Sequence, residues 1–221
     1  MDKAEAIGRL ERDVLYSPKE LQELGLYPKA VQRLVEAGEM ESLARGVYVA
    51  SGYEPHVLDD EAVVAKRCPE AVFNLYTAAR FHGITQVVPA AVWIGLPPDH
   101  RNPPSGGPAP VMALRWKRAL DAEAGIEEME LRGVRLRFTG LERTVIDMWR
   151  YSAHNPGLRS RPERIDDENL FQCMGAYLEK TGGSSRALAE MARKLDLGAG
   201  TTDAFFAFCR RFIGGYTYGN G

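Results

Sequence analysis

Apolar positions in the opening stretch fall at helical spacing. Leu21 and Leu24 form one short stripe; Ala30, Val31, Leu34 and Val35 form a second, with Lys29, Gln32, Arg33 and Glu36 on the opposite side. Ser17-Pro18-Lys19-Glu20 combines an N-cap serine, a proline at the first helical position and a glutamate three after the cap, so the first helix is predicted to begin there. Gly25 stands where a helix stops, Pro28 opens the second helix and Gly38 ends it. The pattern then changes period. MESLARGVYVA alternates as two short strands around Ala44-Arg45-Gly46, a hairpin with a basic tip. Helix, turn, helix and hairpin in this order predict a winged helix-turn-helix over residues 1–52.

After the linker-like SGYEP, residues 56–152 read as a mixed α/β region. An amphipathic helix is expected over 60–67 and another over Tyr76 to His82, with strands at VWIGLP, PVMALRW and GVRLRFTG. In the last of these Val134, Leu136 and Phe138 point inward and Arg135 and Arg137 outward. The prolines and glycines of PPDHRNPPSGGPAP exclude regular structure there. In TGLERTVIDMWRY, Thr139 with Glu142 forms a second capping-box pattern, Val145, Ile146 and Trp149 face a core, and Arg143 pairs with Asp147 one turn on.

The basic loop NPGLRSRPER leads to a helical C-terminal region, residues 165–213. Helices are expected over 167–180, 184–195 and 202–213, capped at Asp166, at Ser184 and at Thr201 or Thr202. Leu188, Met191, Ala192 and Leu195 form one stripe and Phe205, Phe208, Phe212 and Ile213 another. Core packing accounts for both; an exposed phenylalanine stripe would instead be a partner-protein or dimer contact. The tail GGYTYGNG is too glycine-rich to be fixed. The expected fold class is therefore α+β: an N-terminal winged helix-turn-helix, a mixed α/β middle region and a helical C-terminal region.

Composition narrows the function. In 221 residues, 45% hydrophobic and 26% charged, there is enough apolar matter for a globular core. No apolar run approaches the ~20 residues that cross a bilayer, so no membrane partner is expected and the cytoplasm is the default location. Cys68, Cys173 and Cys209 lack any CxxC or Cys/His ligand spacing, which gives no disulfide framework, no metal site and no cofactor. Net charge is −2 and the pI about 6.1, against the basic face of a nucleic-acid binder. Residues 1–52 carry seven cations against nine acids, so only their distribution can support DNA binding. On the second helix Arg33 and Gln32 are the side chains suited to guanine and adenine edges. Lys29 and Arg45 suit phosphates, with Gly46 at the hairpin turn and Lys19 on the first helix completing the set. A solvated helix face with i,i+3 and i,i+4 charge pairs is the competing reading of the same residues.

No phosphate-cradling, dinucleotide-binding or nucleophile-elbow motif occurs. His82, His100 and His154 share no ligand or triad spacing with acids. The Asp99-His100-Arg101 loop is the best enzymatic candidate, and an enzyme is the minority expectation. Taken in order, ARGVYV, LYTAARFHGIT, VWIGLP and RFTGLERTVIDMWR resemble the AbiEi family of type IV toxin-antitoxin antitoxins and transcriptional regulators, over about residues 10 to 152. The resemblance implies a winged helix that binds double-stranded operator DNA and represses its own operon. It also implies a C-terminal region that opposes a nucleotidyltransferase-like toxin. Transferred by position, Lys29, Gln32 and Arg33 form the DNA-reading face and Arg45 with Gly46 the wing. The alternative from the acidic balance is a protein-interaction module that does not touch DNA. No dimer seam is visible.

Overall fold

The computed structural model describes residues 7–101, 103, 106–155, 165–182 and 185–219. The first helix, α1 (Pro18–Glu23), starts at the Ser17 cap. Both capping-box bonds form: Ser17 N–H donates to Glu20 Oε2 at 2.7 Å, and Glu20 N–H donates to Ser17 Oγ at 3.3 Å. The chain leaves the helix through Gly25 at φ 85°, a conformation that costs a Cβ-bearing residue. Helix α2 (Pro28–Glu36) follows, then the antiparallel hairpin β1 (Met40–Ala44) and β2 (Val47–Ala50). Tyr16 and Tyr48 exchange backbone hydrogen bonds at 2.8 and 2.9 Å, adding one rung beside the hairpin. Leu21, Leu26, Val31, Leu34 and Met40 close a small core of their own.

Residues 59–139 build a mixed five-stranded sheet. Its strands are β3 (Val72–Phe73), β4 (Val92–Leu96), β5 (Val111–Arg115), β6 (Ile126–Leu131) and β7 (Val134–Thr139), in the order β5-β4-β3-β7-β6. β4–β5 and β3–β7 are parallel, β3–β4 and β6–β7 antiparallel. The two shortest strand residues, Val72 and Phe73, sit fully buried at the centre. Helix α3 (Asp59–Arg67) packs against β7 and the hairpin. Its Ala62 to Ala65 share one apolar cluster with Leu15, Val47, Val49, Ile94, Leu136 and Phe138. Helices α4 (Leu75–Phe81), α5 (Leu141–Arg150), α6 (Asp167–Thr181), α7 (Arg186–Lys194) and α8 (Ala199–Gly219) assemble a second cluster around Trp149, Met174, Tyr177 and Phe205. The molecule is thus mixed α and β, with eight helices and two sheets among the described residues.

Several local expectations are met. Val134, Leu136 and Phe138 are buried and Arg135 is exposed. Asp166 caps α6 by accepting from Asn169 N–H at 2.8 Å. The leucine and phenylalanine stripes of α7 and α8 pack inward: Leu188, Ala192, Leu195, Phe205 and Phe208 are buried, and Met191, Phe212 and Ile213 lean on the same core. Others are corrected. Thr139 does not cap α5: β7 extends through it, its hydroxyl pairs with that of Thr144 at 2.8 Å, and Gly140 occupies the cap position. Ser185, making no side-chain capping bond, precedes α7; Ser184 lies outside the described residues. Helix α8 starts at Ala199 and continues through Gly219, because the burial of Phe205, Phe208 and Cys209 anchors it and propagation outweighs the glycine cost. Gly198 still marks its start. Residues 156–164 of the basic loop, together with 1–6, also lie outside the described residues. Strand β6 was not foreseen: IEEMEL carries three glutamates, yet Glu128 faces Arg137 across the β6–β7 ladder and also pairs with Arg135.

Candidate nucleic-acid interface

The spacing of apolar residues on α2 decides what the helix presents. Val31 and Leu34 are buried and Ala30 and Val35 half-buried, which turns Lys29, Gln32, Arg33 and Glu36 outward, all exposed. At 1.5 Å per residue this nine-residue helix offers an edge of roughly 13 Å. Lys29 and Arg33 have no side-chain partner among the described residues. Gln32 does: its amide donates to Glu36 Oε1 at 2.9 Å, so reading an adenine edge requires releasing that bond. Tyr27, just before the helix, is 66% exposed, an aromatic ring at the entry to the same face.

Arg45 is exposed at the hairpin tip, and Gly46 takes φ 79°, as its two-residue turn demands. A Cβ at Gly46 would lie 3.9 Å from the Pro18 ring. The tip therefore adjoins the start of α1, where Lys19 follows in sequence. Lys19 itself leans toward Glu23 at 3.9 Å, a highly exposed i,i+4 pair that leaves the ammonium in solvent. The sequence-selected residues thus occupy two places, Lys29, Gln32 and Arg33 on the outer face of α2, and Arg45, Gly46 and Lys19 at the hairpin and α1. Exposed Glu36, Glu39 and Glu41 sit between them along the chain.

The enzymatic candidates divide differently. Arg143 is fully buried: Nε donates to Asp147 at 2.6 Å, Nη1 to the Ala124 carbonyl at 2.8 Å and Nη2 to the Asp121 carbonyl at 3.2 Å. Arg150 and Arg118 complete a network around Asp121 and Asp147. Burial pushes the Asp121 carboxyl up, but the hydrogen bonds from Arg118 and the charges of Arg150, Arg118 and Arg143 hold it below the usual carboxylate range. Arg118 also donates to the Leu195 and Asp196 carbonyls at 2.7 and 2.6 Å, tying the α7–α8 corner to this network. An open cleft of about 500 Å³ borders it, walled by Arg115, Lys117, Arg118, Asp121 and Arg150; neither His100 nor Arg143 lines it.

His82 Nε2 donates to the Thr139 carbonyl at 2.7 Å, and His154 pairs with Asp167 at 3.2 Å, which gives both structural partners. His100 lies in the proline-rich loop, of which residues 102, 104 and 105 are outside the described residues. Its Nε2 stands 3.1 Å from Glu70 Oε2, and Cys68 completes a trio whose ligand atoms all lie within 4.8 Å of one another. The sequence reading missed this trio because thirty residues separate His100 from Glu70. The Cys-x-Glu spacing on its own is no recognised ligand pattern. It missed Arg132 also: this buried side chain, over the Tyr53 ring at 4.9 Å, binds Asp59, Asp13 and the Glu54 carbonyl. It clamps the β6–β7 turn to the segments that precede and follow residues 17–50. No helix among the described residues is long and apolar enough to cross a membrane. Neither a family model nor a curated protein matches the sequence.

Proposed function

We propose that residues 17–50 are a winged helix-turn-helix that reads duplex DNA, and that the chain is an autoregulatory repressor of the AbiEi type. In this reading α2 is the recognition helix and the β1–β2 hairpin the wing. The observation that carries it is the outward face of α2. Lys29 and Arg33 stand exposed and unpaired on a helix whose inner side is seated by Val31 and Leu34, next to a hairpin ending in exposed Arg45. A helix edge of this size fits the major groove, where Arg33 can take a guanine bidentately and Lys29 and Arg45 can neutralise phosphates. Opposition to a nucleotidyltransferase-like toxin belongs to the same proposal through the sequence resemblance, with the α4–α8 body as the region assigned to it.

The acids beside this face support a second reading, a protein-interaction module, since Glu36 holds Gln32, Glu39 precedes the hairpin and Glu41 lies on its first strand. Salt separates the two. Three phosphate contacts from Lys19, Lys29 and Arg45 give a slope of about −2.7 in log K against log salt. Raising salt from about 50 to about 200 mM then weakens binding about 40-fold. The test is binding to the duplex upstream of the protein's own gene at those two concentrations, beside a Lys29→Ala/Arg33→Ala variant. Tight binding that weakens with salt and is lost in the variant supports repression. No binding at low salt refutes it and leaves the interaction module.

A further inference from the structure

Cys68, Glu70 and His100 come from two segments, the corner after α3 and the proline-rich loop after β4. Cys68 ends α3 and is 2% exposed; Glu70 is exposed and His100 half-buried. The histidine is oriented by its other nitrogen. Nδ1 lies 2.8 Å from the Arg101 carbonyl, an atom that only accepts, so Nδ1 carries the proton. In the neutral ring, Nε2 then turns a lone pair toward the Glu70 carboxylate at 3.1 Å, acceptor facing acceptor. The contact needs a cation between them or a second proton on the ring. A backbone carbonyl fixing the tautomer of an imidazole whose free nitrogen faces anionic donors is the arrangement that surrounds metal-bound histidine.

We propose that Cys68, Glu70 and His100 bind one divalent cation of the zinc class, which ties the proline-rich loop to the C-terminal end of α3. Sulfur, nitrogen and oxygen donors together select zinc and its neighbours over magnesium and calcium, which take oxygen alone. Three protein ligands leave a fourth tetrahedral position for water. With bonds of about 2.0–2.3 Å, tetrahedral ligand atoms lie roughly 3.3–3.8 Å apart, so a trio whose ligand atoms all lie within 4.8 Å of one another needs a closure of no more than about 1.5 Å. Thiolate and carboxylate balance the dication. Binding forms the metal–sulfur, metal–nitrogen and metal–oxygen bonds and releases the thiol proton to solvent. Burial, followed by the Glu70 charge, raises the Cys68 thiol. The other thiols, Cys173 and Cys209, are buried in the helical core.

The test is a cobalt(II) titration of the full chain after chelator treatment, followed by competition with zinc. Variants Cys68→Ala and His100→Gln run alongside, with circular dichroism as the check on folding. The expected result is one ion per chain with a thiolate-to-cobalt charge-transfer band, displaced by zinc, absent in Cys68→Ala, and at least tenfold weaker binding in His100→Gln. Because His100 sits on a partly exposed loop, its variant keeps the test informative where Cys68→Ala unfolds. A wild-type titration without the thiolate band, or binding unchanged in His100→Gln, overturns the site.

Discussion

Replacing Arg143 by alanine tests whether the buried charge network is a structural device. The guanidinium is fully buried and makes an ion pair with Asp147, itself 1% exposed, plus two hydrogen bonds to carbonyl oxygens. Removing it leaves Asp147 with Arg150 alone, at 2.8 Å, and strips the Ala124 and Asp121 carbonyls of a donor. Breaking a buried pair by removing one partner costs about 3–5 kcal/mol. Each carbonyl left without a donor costs about 1–3 kcal/mol where water does not replace it. Because the cleft beside Arg150 admits water that can replace the donor at the two carbonyls, the ion-pair loss alone applies, and a loss of about 4 kcal/mol is expected. That is a large share of the roughly 5–15 kcal/mol that holds a domain folded. The assay is urea unfolding followed by circular dichroism, with Arg186→Ala as the control. Arg186 forms a solvent-exposed i,i+4 pair with Glu190 at 3.0 Å and should leave the midpoint where it is. If Arg143→Ala shifts the midpoint no further than Arg186→Ala, the network does not hold the fold. These charges then have to be explained by chemistry at the cleft.

Asp121 is held below its ordinary value, so its contribution is present above about pH 4 and is lost as pH falls through the folded value. Asp121→Asn should therefore flatten the acid limb of the stability curve as well as lower the plateau. Glu61 runs the other way: burial, with the like charge of Asp60 adding to it, pushes its carboxyl above 4.5, so folding loses stability as pH rises through that value. Glu61→Gln should raise the melting temperature at pH 7 and not at pH 4. A Cβ at Gly95 would stand 2.1 Å from Cζ2 of buried Trp116, so Gly95→Ala should cost stability toward the upper end of about 1–3 kcal/mol, read by the same urea unfolding. For DNA binding, Arg45→Ala should reduce the salt slope by about 0.9 and weaken all sequences alike, whereas Arg33→Ala should reduce discrimination between sequences by about 1–3 kcal/mol.

What could be read from the sequence was local. The Ser17–Glu20 box, the alternation of Val134, Leu136 and Phe138 and the Arg143–Asp147 pair depend on neighbours three, two and four residues apart, and each formed as expected. The outward side of α2 was legible for the same reason, since Val31 and Leu34 fix which side is buried. Where the deciding partner lay far along the chain, local pattern failed. Thr139 carries a capping pattern with Glu142, but pairing with Ile126 of β6 draws it into the sheet and Thr144 takes its hydroxyl. Strand β6 is hidden by three glutamates, of which Glu128 is compensated by Arg135 and Arg137 of β7. Arg132 and the Cys68–Glu70–His100 trio become visible only when segments dozens of residues apart are brought together by the sheet.

The two cationic places on the N-terminal unit are held by different parts of the molecule. Leu15, Ala44, Val47 and Val49 belong to the cluster that contains α3 and the sheet, so the inner side of the hairpin is part of the main body. Glu20 binds Lys66 of α3 at 2.7 Å, and Arg132 binds Asp13, which fastens the approach to α1 from both sides. Helix α2 instead rests Val31 and Leu34 on the small cluster of residues 16–40. A strain applied to α3 or to the β6–β7 turn reaches the hairpin and α1 directly, and reaches α2 through the small cluster, by way of Leu21, Leu26 and Met40. In the DNA-binding reading, the hairpin and Lys19 supply charge from a fixed frame while Arg33 and Gln32 read bases from a separately seated helix. The salt dependence of binding is then set mainly by the body, with Lys29 of α2 adding one contact, and sequence preference by the six-residue core under α2.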